Sequence, residues 1–292
     1  MTSSAPVALP VFRASGPARL PRQWPRPSGS VAADLVRETC RYSAWTMEPS
    51  APGPVAISTA AGTSPSSFYE VVHRRRDVRA EFTGEPVDGG VLARILRAAH
   101  AAPSVGLSQP WDFVLVTDAE LRNRFWEHVQ GERAVFGDQL HGERAERFAG
   151  IRIEGILQSS VSVVVTYDPA RGAPDVLGRH AIADAGLYST CLAIENLWLA
   201  VTAEGWGMGW VSFYREPFLR QLVGLPEAVR PVAWLCLGPV STLHDTPDLE
   251  RHGWRRRAPL DAVLHAERWH ELMGADTLVD GVSLGGGLPP RS

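Results

Sequence analysis

The stretch from Leu187 to Ala203 constrains the fold more than any other part of the sequence. Its spacing predicts a helix that is hydrophobic on most sides, with Glu195 as its one charged residue. Such a helix cannot lie on a surface with one face in water, so other elements must cover it. The strongest covering candidates are β-rich runs: Phe113–Thr117, Val161–Tyr167, a strand within Pro231–Gly238, and the loop and strand of Gly207–Ser212. Shorter helices are expected at Phe68–Val72 behind the cap Ser66-Ser67, at Val91–Ala99 before Pro103, from Asp118 through Trp126, and at Glu216–Val223. The order is βαβ-like at first and mixed later. That predicts an α+β layered domain rather than a regular doubly wound sheet.

The ends differ in composition. Residues 1–66 hold 10 of the 23 prolines and no sustained apolar period, so they are expected to be a disordered extension apart from a transient helix near Val31–Trp45. Residues 67–273 are read as the folded domain, and 274–292 as a Gly- and Pro-rich tail. A formal net charge of −3 provides no global field for nucleic acid or an anionic membrane, so partners of both kinds are excluded. The apolar stretches are too short and interrupted to span a bilayer. Cys40, Cys191 and Cys236 are widely spaced, with no Cys-x-x-Cys pair. Cys191 and Cys236 read as small core hydrophobes, in keeping with a cytoplasmic protein. No histidine spacing suits a metal, and His265 and His270, five apart, do not share a helix face. Dinucleotide, Walker and nucleophile-elbow motifs are absent as well.

Four blocks can carry chemistry. The first is His73-Arg74-Arg75-Arg76-Asp77-Val78-Arg79, where several guanidiniums can converge on one phosphate. An Arg run alone is most often a solvated basic face, and this chain uses Arg for all 29 of its basic residues. Here, though, Phe82 returns an apolar residue at once, which sets the run against a core. The second block is Ala102–Trp111, a loop stiffened by Pro103 and Pro110 that displays Ser104 and Gln109. In the third, Gly205–Ser212, small residues allow a flat ring to approach the backbone closely. The fourth, Gly253–Leu260, brings a second basic cluster with Arg255 and Arg257.

Taken in this order, over about Phe68 to Trp269, the blocks resemble the nitroreductase-like flavoprotein superfamily. The resemblance implies a mixed, mainly antiparallel sheet flanked by helices, and a homodimer with flavin mononucleotide (FMN) at the subunit interface. Departures from ordinary members point to a narrower branch. Asp77 stands where a small hydroxyl residue is usual, and Leu107 where many members have an Asn facing the flavin pyrimidine. Glu195–Ala200, Gly209–Ser212 and Ala233–Gly238 also resemble that branch. In it, reduced FMN is a substrate, and with dioxygen it is fragmented to 5,6-dimethylbenzimidazole and erythrose 4-phosphate for the lower ligand of cobalamin. A separate flavin reductase would supply the reduced flavin, and no metal is implied.

The implied roles follow residue by residue. Arg75, Arg76 and Arg79, helped by Arg255 or Arg257, would hold the phosphate, with Val78 and Ser104 among the flavin contacts. Asp77 would take a proton beside C1′ of the ribityl chain. Ser212, with the Gly209 backbone, would bond around flavin N5, while Trp111, Met208 and Trp210 would exclude water. The runner-up reading is a conventional NAD(P)H-dependent nitroreductase or flavin reductase that recycles FMN.

Overall fold

A computed structural model describes residues 65–276. The expected extension and tail fall almost wholly outside the described residues, as does the helix expected near Val31–Trp45.

The described chain runs α1 (Pro65–Arg74), α2 (Gly89–His100), β1 (Trp111–Val116), α3 (Ala119–Gly137), α4 (Glu143–Gly150), β2 (Val161–Tyr167), α5 (Ala185–Ala203), β3 (Trp206–Val211), α6 (Glu216–Leu222), β4 (Arg230–Pro239) and α7 (Asp248–Arg251). The four strands form one antiparallel sheet in the order β1-β2-β4-β3. A parallel bridge between Asp77 and Met208 extends its β3 edge, which makes the sheet mixed and mainly antiparallel.

Helices cover both faces of this sheet, so its strands read as apolar runs whose residues alternate between two cores. Val163, Val165, Leu235, Leu237 and Met208 face one core with Ile95 of α2 and Ile194 and Leu197 of α5. Val164, Trp234, Cys236 and Val211 face the other, with Phe125, Phe148 and Leu219 from α3, α4 and α6. The helix expected at Leu187–Ala203 is α5, with Ala193, Leu197 and Val201 fully buried. The Asp118 side chain caps α3 as expected, accepting the Leu121 N–H at 2.8 Å.

Four readings are corrected. Helix α3 continues well past Trp126, because Val129 and Phe136 anchor its later turns despite polar neighbours. Helix α4 has no counterpart in the sequence reading; one buried residue, Phe148, fixes it. Cys236 is buried, but Cys191 is exposed on a side of α5 that no described element covers. His265 and His270 lie beyond α7, in a segment closed by a bridge between His265 and Leu272, so helix faces do not govern them. Among the described residues no helix is long and apolar enough to cross a membrane.

Candidate active site

The first block leaves the end of α1 and runs along the outer edge of β3. Val78 is buried, and its N–H donates to Met208 O at 2.9 Å. The approach is so close that a Cβ on Gly209 would lie 2.1 Å from Val78 O, which requires glycine at 209. This packing aims the Asp77 carboxylate at the strand end: Oδ1 accepts the Trp210 N–H at 3.1 Å, and Oδ2 pairs with the Arg79 guanidinium. The Asp77 side chain keeps 31% of its surface open, against 15% for Arg79. Burial pushes the Asp77 carboxyl above its ordinary range, outweighing Arg79, the Trp210 N–H and Arg75, which all pull it down.

Next to Asp77 the positive charges gather. The Arg75 guanidinium stacks over the Trp198 ring, 4.8 Å from its centroid, and lies 3.8 Å from the Glu195 carboxylate. Arg76 is braced on main-chain carbonyls, donating to Arg75 O at 2.6 Å and Asp245 O at 3.1 Å. Burial, then repulsion from Arg257 and Arg75, lowers its pKa. Two basic blocks far apart in the sequence therefore lie within electrostatic reach of each other, and an anion between them would relieve their repulsion. Of Arg255 and Arg257, it is Arg257 whose charge reaches Arg76. Arg79 is placed otherwise than the phosphate reading expects, because its guanidinium turns inward to Asp77.

Ser212, just past β3, is exposed. It borders a cavity of about 340 Å³ that is also lined by Arg79, Trp210, Phe136, Phe148 and Trp254. That volume lies in the range of small-molecule sites. Of the residues expected to exclude water, Trp210 lines this cavity. Trp111 and Met208 do not, because both are buried in the core beneath the sheet. The aromatic wall from α3 and α4 was not foreseen. Its residues belong to no motif, and only Trp254, inside the fourth block, gave a hint.

Ser104 stands apart from the arginines. Its Oγ accepts the Gln109 N–H at 3.0 Å, and its loop docks on α5 through Val105 N–H to Ser189 Oγ at 3.1 Å. Ser189 and Trp198 are nine residues apart, about 13 Å along the helix axis. The loop and the guanidiniums thus flank α5 at opposite ends. Leu107, at the loop's tip, is 80% exposed.

Among the described residues no cluster of metal-ligating side chains occurs. The Nitroreductase family matches residues 72–239. The chain belongs to the nitroreductase family. Within it, the chain is 36% identical over 201 residues to a 5,6-dimethylbenzimidazole synthase of Rhodobacter capsulatus, a match that covers 68% of this chain and 96% of that one. A synthase of the same name from Rhodospirillum rubrum is also 36% identical, over 65% of this chain and 89% of its own. Among solved structures, the NADPH:FMN oxidoreductase of Vibrio harveyi, complexed with NAD+, shares the fold with a TM-score of 0.52 at 19% identity, over 73% of this chain and 82% of that one.

Proposed function

We propose that this chain is a 5,6-dimethylbenzimidazole synthase, which binds reduced FMN as substrate and, with dioxygen, fragments it to 5,6-dimethylbenzimidazole and erythrose 4-phosphate. The observation that carries the reading is Asp77. A carboxylate held by the Trp210 N–H and Arg79 stands beside Arg75 and Arg76, within electrostatic reach of Arg257. The resemblance to the synthases supports the same reading.

The donor set fits FMN. A phosphate monoester carries nearly two negative charges at neutral pH, which matches guanidiniums that repel one another when it is absent. Glycines at 207 and 209 let the Asp77–Arg79 segment pack directly against β3, which holds the Asp77 carboxylate in place beside the arginines. Reduced FMN supplies the electrons for dioxygen and the carbon atoms of the product; the protein's share is to hold, orient and move protons. Arg75 and Arg257, with Arg76 adding its charge from its main-chain anchor, fix the phosphate and so the ribityl chain. Asp77 takes up the proton that leaves C1′, and its raised pKa suits it to keep that proton briefly. Arg79 positions the carboxylate. Ser212 offers its hydroxyl to N5, and Trp210 with the aromatic cavity wall keeps water away.

The assembly proposed is a homodimer. Tyr188 and Leu192 of α5 are exposed, and so are Leu107, Leu177, Phe68 and Tyr69. The 105–107 turn and α1 both contact α5, so much of this apolar surface is continuous. A separate flavin reductase would provide the reduced substrate.

The test is aerobic incubation of the purified protein with chemically reduced FMN and no nicotinamide. Formation of 5,6-dimethylbenzimidazole, identified by mass, is expected. Quantitative return of oxidised FMN without product would reject the reading in favour of a flavin-recycling reductase.

A further inference from the structure

A second, much smaller cavity lies against Asp77. Glu81, His244, Arg76, Asp248 and Arg251 line it too, and its volume of about 10 Å³ is room for a single water. Most of the charged groups around it are already engaged. Arg76 is bound to main-chain carbonyls, and Asp248 lies 3.4 Å from both Arg251 and His252. Glu81 differs, because the one side chain paired with it among the described residues is a titratable ring open to water, whereas Asp248 is also tied to Arg251. Its Oε1 is 3.1 Å from His244 Nε2, and the His244 side chain is 38% exposed while that of Glu81 is 17% exposed. The pair is held by main-chain pairing, in which Ser241 N–H donates to Glu81 O at 2.9 Å and Thr83 N–H to Pro239 O at 3.1 Å.

We propose that Glu81 and His244 form a proton outlet for Asp77 through one water in this cavity. The inference rests on the function proposed above, in which Asp77 gains a proton in each turnover and must lose it before the next. With substrate seated over its open side, Asp77 has no direct route to bulk water. In the outlet Asp77 gives its proton to the water, which passes one to Glu81. Glu81 passes it to His244 Nε2, and the imidazolium releases its Nδ1 proton to solvent. The ring regains its starting tautomer by exchange, so protons and charge balance.

The groups stand in a workable order. Burial pushes Glu81 up, but the N–H groups of Glu81 itself, Arg79 and Ala80, with His244, outweigh it and hold the carboxyl below its ordinary range. Glu81 is thus a point of passage, while Asp77, raised by burial, is a source. Glu81 is the closest charged group to His244, and Arg76, Asp77, Asp248 and Arg251 face it across the cavity.

The test compares wild type with His244→Ala and Glu81→Gln, given reduced FMN in air. His244→Ala is expected to complete a first turnover and then to slow about 100-fold, the scale of a lost proton-transfer group. Free imidazole should restore its rate, and its pH profile should lose the histidine limb. In the flavin-free protein, a high-resolution crystal structure gives a readout independent of turnover: one ordered water should bridge the Asp77 and Glu81 carboxylates in this cavity. If wild type makes no dimethylbenzimidazole, the proposed function fails and the outlet with it. If wild type makes it and His244→Ala keeps the wild-type rate and profile with no response to imidazole, the outlet alone is overturned. A cavity that holds no ordered water between Asp77 and Glu81 overturns it too. Should Glu81→Gln not fold, the surface variant His244→Ala decides.

Discussion

Burial raises the Asp77 carboxyl above its ordinary value of 3.8, while Arg79, the Trp210 N–H and Arg75 pull it the other way. Because burial wins, the folded state holds the proton more tightly than the unfolded chain does. The stability this group contributes is therefore fully present below pH ~4 and is lost as the pH rises through the folded value. Asn at 77 keeps an oxygen for the Trp210 N–H but carries no proton to lose. Asp77→Asn is expected to gain on wild type in Tm as the pH climbs from 4 to 7 in the flavin-free protein, and to bind reduced FMN while forming no dimethylbenzimidazole. Parallel melting curves would show that Asp77 is not strained by ionisation. The arginines allow a sharper test of ligand class. Arg257→Ala removes one charged contact worth about 1.5–3 kcal/mol, so FMN binding should weaken about 10- to 100-fold. Riboflavin, which lacks the phosphate, should bind Arg257→Ala and wild type alike; equal weakening of both ligands would contradict phosphate recognition at Arg257.

At the scale of elements, the site depends on how closely the Asp77–Arg79 segment can lie against β3. A Cβ at Gly209 meets Val78 O, a backbone atom that cannot swing aside, and one at Gly207 would lie 2.4 Å from Val240 Cγ1. Gly209→Ala is expected to destabilise the domain by about 3 kcal/mol, the upper range of overpacking. For a domain of this size that is a fall in Tm of roughly 6–12 °C by calorimetry, and a variant within 2 °C of wild type would refute so tight a contact. The sequence showed these glycines as a place for a flat ligand to approach. What fills the space beside them is instead the chain's own residue 78, a distant pairing that no local pattern carries. The same limit explains the other gaps. Strands β2 and β4 were legible because burial on both faces leaves runs dense in valine, leucine and tryptophan. Helix α4 was not, since one buried phenylalanine fixes it. The inward turn of Arg79 was hidden as well, because residue type alone does not tell a phosphate-binding guanidinium from one that pairs with the carboxylate two positions away.

The whole molecule must account for apolar surface that its own helices leave uncovered. Helix α5 is hydrophobic nearly all round, and the sheet with α2 covers only part of it. Tyr188, Cys191 and Leu192 remain exposed beside the 105–107 turn, where Leu107 points outward. A water-facing stripe on the most apolar helix of a domain is costly unless another surface meets it. A second copy of the chain meets it most simply, because a two-fold interface pairs the same patch with itself. A stable contact of that kind covers about 800 Å² on each partner, more than these side chains of α5 alone can supply, so the loop and α1 would have to take part. Leu192→Asp places like charges across the axis at the centre of the patch while leaving the buried face of α5 untouched. It is expected to shift the mass measured by light scattering from dimer to monomer. Reduced FMN should then bind at least 10-fold more weakly, because the Ser104 loop and the guanidiniums flank the same helix and a ligand lying along it would lose its cover from the partner. A monomeric wild type would remove the dimer from the proposal. A dimeric Leu192→Asp would move the interface elsewhere on the surface.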